Sequence, residues 1–133
     1  MAAAPFLDSN ILIYAYSSDP RSSKAQAVCA LPYTVGVQSL NEFANVARRK
    51  LGFDWGEIVT RIVAIVNLAD QIVPLTFEMH QTGIALADRY NLQVYDGMIL
   101  AAALEAGCET IYSEDMHNGL VIEDQLTIRN PFT

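Results

Sequence analysis

Short β-prone apolar runs alternate in this chain with longer segments whose apolar residues recur at helical spacing, and this alternation restricts the fold more than any other feature. Phe6-Leu7 is a short apolar run that ends at Asp8. Residues 10–16 read as a first helix and residues 21–31 as a second, with Asp19-Pro20 marking its start. Residues 34–38 (TVGVQ) are rich in β-formers. Leu40, Phe43, Ala44, Ala47 and Leu51 then follow at helical spacing until Gly52 stops them. A longer helix is expected over 54–69, with Ile58, Ile62, Ile65, Val66 and Ala69 on one stripe and Val59 and Val63 widening it. Residues 71–75 read as a strand and 77–90 as another helix. The segment 96–106 is apolar nearly all round, as a buried helix would be, and Gly107 closes it. Residues 110–113 (TIYS) read as a strand and 126–129 as a last edge strand. Strands alternating with helices predict a parallel sheet covered by helices on both faces.

The remaining composition narrows the class. A length of 133 residues suggests one domain over 1–133, and 52% apolar against 17% charged residues supply a packed core. The longest apolar run, Met98 to Leu104, is seven residues, against the roughly 18 of a membrane span. The start, Met1-Ala2-Ala3-Ala4-Pro5, has neither the basic segment nor the apolar stretch of a signal peptide. Fifteen acids against eight Lys and Arg give a net charge of −7. That balance argues against loose electrostatic binding to nucleic acid or an anionic membrane, and a polyanionic substrate would need positive charge from outside the chain. Cys29 and Cys108 match no metal-ligand spacing and read as buried thiols in a reducing cytoplasm. His80 and His117 are too few for a His-rich zinc site.

In an open parallel sheet, ligands bind beyond the carboxyl ends of the strands. Filtering the acids by that geometry leaves four. Asp8 directly follows the first strand, and Glu42 is expected in the first turn of the helix after residues 34–38. Asp96 opens the apolar helix, which must run antiparallel to the sheet to reach Thr110, so its N-terminus lies at the carboxyl edge. Asp115 follows the strand 110–113, with Glu114 between. Each has a bland explanation alone: a turn former at Asp8, an N-cap at Asp96, a dipole-favoured helix acid at Glu42, a solvated loop at Glu114 or Asp115. Those explanations do not account for all four falling on one edge. The four meet only if the first strand and the strand 110–113 are neighbours, which spacing leaves open. Two carboxylates ~4 Å apart repel by roughly 4 kcal/mol at an effective dielectric of 20, so such a cluster needs raised pKa values or bound cations. Carboxylates without Cys or His favour Mg²⁺ or Mn²⁺. Their commonest catalytic use is on phosphate esters, where one ion activates the attacking water and a second stabilises the leaving oxygen.

Four blocks, FLDSNILIYAY, QSLNEFANVARRK, YDGMILAAALEAGC and TIYSEDMHNG, occur in an order that resembles the PIN-domain ribonucleases of the VapC toxin type. The family pattern is an Asp followed by small polar residues, a Glu on a helix, an Asp opening an Ala-rich helix, and a late Ser/Thr-x-Asp. The matching positions are Asp8-Ser9-Asn10, Glu42, Asp96 and Ser113-Glu114-Asp115. The resemblance implies a three-layer α/β/α fold with a five-stranded parallel sheet in order 3-2-1-4-5, which makes the first and fourth strands neighbours. It also implies hydrolysis of RNA phosphodiesters with one or two Mg²⁺ or Mn²⁺ ions, a homodimer, and a cognate antitoxin. Asp8, Asp96 and Asp115 would hold metal, with Glu42 assisting directly or through water, and Ser9 or Ser113 would position a water. Glu114 competes with Asp115 for the inward position.

Secondary candidates are Arg49, seven residues after Glu42 on much the same helical face, and His117 and Asn118 after Asp115, for RNA or antitoxin contact. Tyr14 and Tyr16 are a weaker pair for base stacking, because their spacing gives only one an inward view. Two rival readings stand beside the ribonuclease. One is a Mg²⁺-dependent phosphatase or receiver-like domain, against which the chain lacks both Asp-x-Asp and a Lys after the late strand. The other is a non-cleaving module that binds RNA or protein through the same edge.

Overall fold

In a computed structural model, which describes residues 2–133, the short strands β1 (Phe6–Leu7), β2 (Thr34–Gly36), β3 (Gln71–Val73) and β4 (Thr110–Tyr112) are parallel neighbours in the order β3-β2-β1-β4. Beyond β4 lie β6 (Leu126–Arg129), also parallel, and β5 (Val121–Ile122), antiparallel to β6. The helices are α1 (Ser9–Ala15), α2 (Ser22–Cys29), α3 (Val37–Arg49), α4 (Trp55–Leu68), α5 (Phe77–Tyr90) and α6 (Val94–Glu105). The expected strand order holds, with Leu126–Arg129 in fifth place, but the sheet has six strands and is not wholly parallel. The sixth arises from Glu123 and Asp124, both in the left-handed region (φ 52° and 56°). Two such residues in succession form the tight hairpin turn that folds residues 121–122 back onto β6.

Successive side chains of a strand face opposite sides of its sheet, and β1 divides the interior accordingly. Phe6 joins one core with Leu86, Ile99, Leu100, Ile111 and Ile128. Leu7 joins the other with Ile11, Leu12, Phe43, Ile58 and Ile65. Both residues are fully buried, so two residues suffice for the central strand. On the first side, α5 and α6 cross at two glycines: a Cβ on Gly97 would overlap the Gly83 carbonyl oxygen. The apolar character of α6 all round follows from this. It lies between α5 and the sheet, with residues 99–103 buried.

Helix ends obey local chemistry. Asp54 caps α4 in a reciprocal capping box with Glu57, Thr76 caps α5, and Asn91 ends α5 at φ 56°. One boundary differs from expectation: β2 stops at Gly36 and α3 begins at Val37, so Glu42 stands in the second turn of α3, not the first. Among the described residues no helix is long and apolar enough to cross a membrane.

Candidate active site

The tripeptide Asp8-Ser9-Asn10 organises the carboxyl edge of the sheet. Asp8 leaves β1 and caps α1, its Oδ1 accepting from the Ser9 backbone N–H at 2.7 Å. Pairing of β1 with β4, continued by Asp8 N–H donating to the Tyr112 carbonyl at 3.0 Å, sets Ser113 beside Asp8. Ser113 Oγ donates to Asp8 Oδ2 at 2.7 Å, and Asn10 Nδ2 donates to the same oxygen at 3.1 Å. Ser9 Oγ then reaches across to α3 and donates to Glu42 Oε1 at 2.8 Å, while Gln38 Nε2 donates to Glu42 Oε2 at 3.0 Å. Asn10 Nδ2 also donates to Asp115 Oδ2 at 3.2 Å, and its Oδ1 accepts from the Glu114 backbone N–H at 3.2 Å. Three consecutive residues thus link three of the four predicted acids. The fourth, Asp96, comes from the first turn of α6; the N-cap there is Gln93, so capping does not explain Asp96.

All four acids line one cavity of about 660 Å³, together with Ser9, Gln38, Asn41, Asn45, Gln93 and Tyr95. Burial and the neighbouring carboxylates raise the pKa of two of the four, Asp8 and Asp96. Burial pushes the Asp8 carboxyl from 3.8 to about 7, with Glu42 and Asp96 adding to the rise, even though the Ser113 hydroxyl and the Ser9 amide oppose it. Asp96 is also raised, by burial first and then by Glu42 and Asp115, with the Gln93 amide partly offsetting them. The oxygen-only donor set suits a hard divalent cation, which would relieve both shifts. Among the described residues, however, no three His, Cys, Asp or Glu side chains are grouped closely enough to hold an ion by themselves. The carboxylates ring a cavity and do not form a closed cage.

The choice between Glu114 and Asp115 is made by partners remote in sequence. Arg21 Nη1 donates to both Glu114 carboxylate oxygens at 2.8 and 2.9 Å, and Tyr14 Oη donates to Glu114 Oε1 at 2.6 Å. Arg21 in turn lies over the Tyr14 ring and is held by Asp19. Glu114 is therefore turned away from the cavity that Asp115 lines. The same clasp pushes the Tyr14 phenol up to about 12, through burial and the adjacent Glu114 carboxylate, and lowers Asp19 to about 2 through its bonds from Arg21.

The other candidates lie outside the cavity wall. Arg49 is exposed at the last turn of α3, where it continues the stripe of Gln38, Glu42 and Asn45. Asn118 Oδ1 accepts from the Asn130 backbone N–H at 2.9 Å, and His117 is exposed beside it. Neither Tyr14 nor Tyr16 faces the cavity: Tyr14 belongs to the Glu114 clasp, and Tyr16 lies edge-on against Phe43. Both cysteines are free, Cys108 buried and Cys29 only half-buried. Sequence reading missed Gln38, Asn41, Asn45, Gln93 and Tyr95. A signal existed, because 38, 41 and 45 share a helical face with Glu42, while 93 and 95 flank Asp96.

A mostly parallel sheet in this strand order, with helices on both faces and four acids lining a cavity beyond its carboxyl ends, defines a three-layer α/β/α architecture with an acidic cleft. The chain belongs to the PIN domain family, which it matches over residues 6–117. Its fold is similar to that of Mycobacterium tuberculosis VapC20, described as a sarcin–ricin loop cleaving toxin, at a TM-score of 0.72 and 15% identity over 84% of this chain and 90% of that one. A toxin–antitoxin complex from Klebsiella pneumoniae aligns at 0.71 and 21% identity, over 96% of this chain and 98% of that one. VapBC2 from Rickettsia felis, bound to a DNA fragment from its promoter, aligns at 0.66 and 13% identity over 96% and 98%. No curated protein matches the sequence.

Proposed function

We propose that this chain is a Mg²⁺- or Mn²⁺-dependent endoribonuclease and the toxin member of a toxin–antitoxin pair. The observation that carries this reading is the buried Asp8, pushed to about 7 inside a ring of three further carboxylates. A buried carboxylate with a strongly raised pKa in a cleft is the pattern that catalytic and binding sites concentrate. Asp8, Asp96 and Asp115 would hold one or two ions, with Glu42 acting directly or through water. An open ring of acids suits such shared coordination better than a closed cage, because hydrated divalent ions bind through few protein ligands alongside substrate phosphate. When bound, the ions lower the pKa of water and neutralise charge on the scissile phosphate.

The chain's own residues do the positioning. Ser113 and Asn10 fix the orientation of the Asp8 carboxylate, Ser9 and Gln38 fix Glu42, and Asn10 fixes Asp115. Ser9 and Ser113 hydroxyls are spent on carboxylates, so they act by aiming acids more than by holding water themselves. Hydrolysis adds water across the P–O3′ bond, leaving a 5′-phosphate and a 3′-hydroxyl. Arg49, exposed at the last turn of α3, is a candidate for contact with an RNA phosphate or an antitoxin carboxylate. His117 and Asn118 are candidates for the same contacts. The similarity to solved toxin–antitoxin complexes supports an antitoxin partner, and a homodimer is part of the same reading. A basic antitoxin side chain entering the acid ring would compete with the ions.

The decisive experiment incubates a mixed RNA pool with wild type and Asp96→Asn, with and without Mg²⁺ or Mn²⁺. Cleavage should require the ion and be lost in the variant. Equal cutting by both proteins, or cutting that persists in excess chelator, rejects the mechanism.

A further inference from the structure

A second cavity, of about 470 Å³, opens between α1, α2 and α4 and shares no lining residue with the acid cavity. Its walls are mostly apolar, with Leu12 and Ala15 from α1, Ala30 at the end of α2, and Ile65 and Leu68 from α4. Leu68 is left 66% exposed. The one charged side chain lining this cavity is Arg61. Its guanidinium lies 5.7 Å from the Tyr16 ring and 5.8 Å from the Phe53 ring. Its Nε, however, is buried without a hydrogen-bond partner, the only buried side-chain nitrogen or oxygen left so among the described residues. Acids outnumber Lys and Arg fifteen to eight, yet among the described residues none forms an ion pair with Arg61. Nor does Cys29 in the same wall supply an anion, since burial pushes its thiol up to about 11. A buried donor of a charged group is costly to leave unmatched.

We propose that this cavity binds a small amphiphilic monocarboxylate of the fatty-acid class, its apolar stem between α1, α2 and α4 and its carboxylate on Arg61. The guanidinium fork matches a carboxylate through two parallel hydrogen bonds, and Nε supplies one of them. A monoanion suits a single cation, whereas a dianionic phosphate meets more of the field of a chain with net charge −7. The walls favour an alkyl stem over a peptide because their other polar groups are already engaged. Tyr33 Oη donates to the Ile65 carbonyl, and Gln26 Nε2 donates to the Ala15 carbonyl at 3.0 Å and to Ser22 Oγ at 3.1 Å. A peptide laid here would leave its own N–H and C=O groups unmatched, while an alkyl chain has none to match. Apolar walls with one convergent polar group, at this volume, are the usual build of a small-molecule site. The site needs neither ion nor RNA and stands apart from the nuclease reading.

Isothermal titration of the chelator-treated full chain with decanoate, decanol and acetate tests this. Decanoate, kept below its micelle concentration, should bind saturably at one site per chain. Decanol, which has the stem without the charge, should bind about tenfold more weakly, and acetate, which has the charge without the stem, should not bind measurably. Arg61→Met should abolish the preference for decanoate over decanol, and Asp96→Asn should bind decanoate as wild type does. Absence of saturable decanoate binding, equal binding of decanol, or a preference that survives Arg61→Met overturns the proposal. So does a short apolar peptide with a free C-terminal carboxylate that displaces decanoate at equal concentration, because the occupant would then be a protein segment. Should Arg61→Met fail to fold, Ala30→Phe, at the exposed end of α2, decides by narrowing the cavity: weakened decanoate binding supports the site and unchanged binding rejects it. RNA cleavage enters none of these measurements, so the nuclease reading stands or falls separately.

Discussion

Helix α6 belongs to two regions built on opposite principles. Its first turn delivers Asp96 to a cavity where four carboxylates repel one another and burial holds Asp8 well above its ordinary acidity. From Gly97 onward the same helix lies so close to α5 that Gly83 and Gly97 leave no room for a Cβ. The packed region is free of electrostatic conflict, whereas the cleft accumulates it. Placing them one residue apart teaches that the destabilising cluster is tolerated because it is anchored in rigid, apolar structure. Strain at a site persists only where its surroundings over-determine it.

The comparison breaks most easily on the packed side. Gly97→Ala should cost about 3 kcal/mol or more, because a methyl against backbone carbonyl oxygen forces the two helices apart. Urea unfolding measures this, and an unchanged midpoint would mean that the α5–α6 contact is not the anchor described.

The next largest effect belongs to the cleft. Asp8 ionises near 3.8 when unfolded and about 7 when folded, so the native state holds the extra proton between those values. Stability of the metal-free protein should therefore fall as pH rises from about 4 to 7 and remain low above that, by an amount on the order of a few kcal/mol. Chelator-treated protein unfolded in urea at pH 5 and pH 8 tests the sign. Mn²⁺ added at pH 8 should recover much of the loss, by binding the native state alone.

Asp96→Asn sharpens the contrast, since it should stabilise the metal-free protein while abolishing cleavage. Asp96 is only half-buried, so screening keeps the gain below about 1 kcal/mol. A thermal melt with chelator reads it, and destabilisation instead would show that Asp96 supports the fold. The smallest effect is expected for the clasp: Arg21 and Glu114 are partly exposed (41% and 21%), and their double-mutant cycle should give at most about 1 kcal/mol.

How much of this was readable in advance depends on the range of the interaction responsible. The segment over Phe77–Tyr90 was legible to the residue because its signals are local: a Thr cap, apolar periodicity and an Asn that accepts a left-handed φ. The strand Leu126–Arg129 was legible for the same reason, although it lies between β4 and β5 and not at the edge of the sheet. The hairpin strand before it was not, because Val121-Ile122 is too short to show a pattern and Glu123-Asp124 is a less usual turn pair than one with Gly or Asn. Residue type and order pick out Glu42, but the β-prone run 34–38 extends two residues past the end of β2, so Glu42 stands in a later turn of α3 than that run implies.

Composition and order alone dictated the alternating architecture, the acidic balance and the identity of the four carboxylates, since residue chemistry and short-range periodicity need no knowledge of the fold. Three things awaited the tertiary structure: that Asp115 and not Glu114 turns inward, that Gln38, Asn41, Asn45, Gln93 and Tyr95 complete the walls, and that Tyr14 serves a clasp. Each depends on where a side chain points, and that is set by partners distant along the chain. Arg21 reaches Glu114 across 93 positions, and it takes the pairing of β1 with β4 together with the packing of α2 on α1 to bring them within a bond of each other.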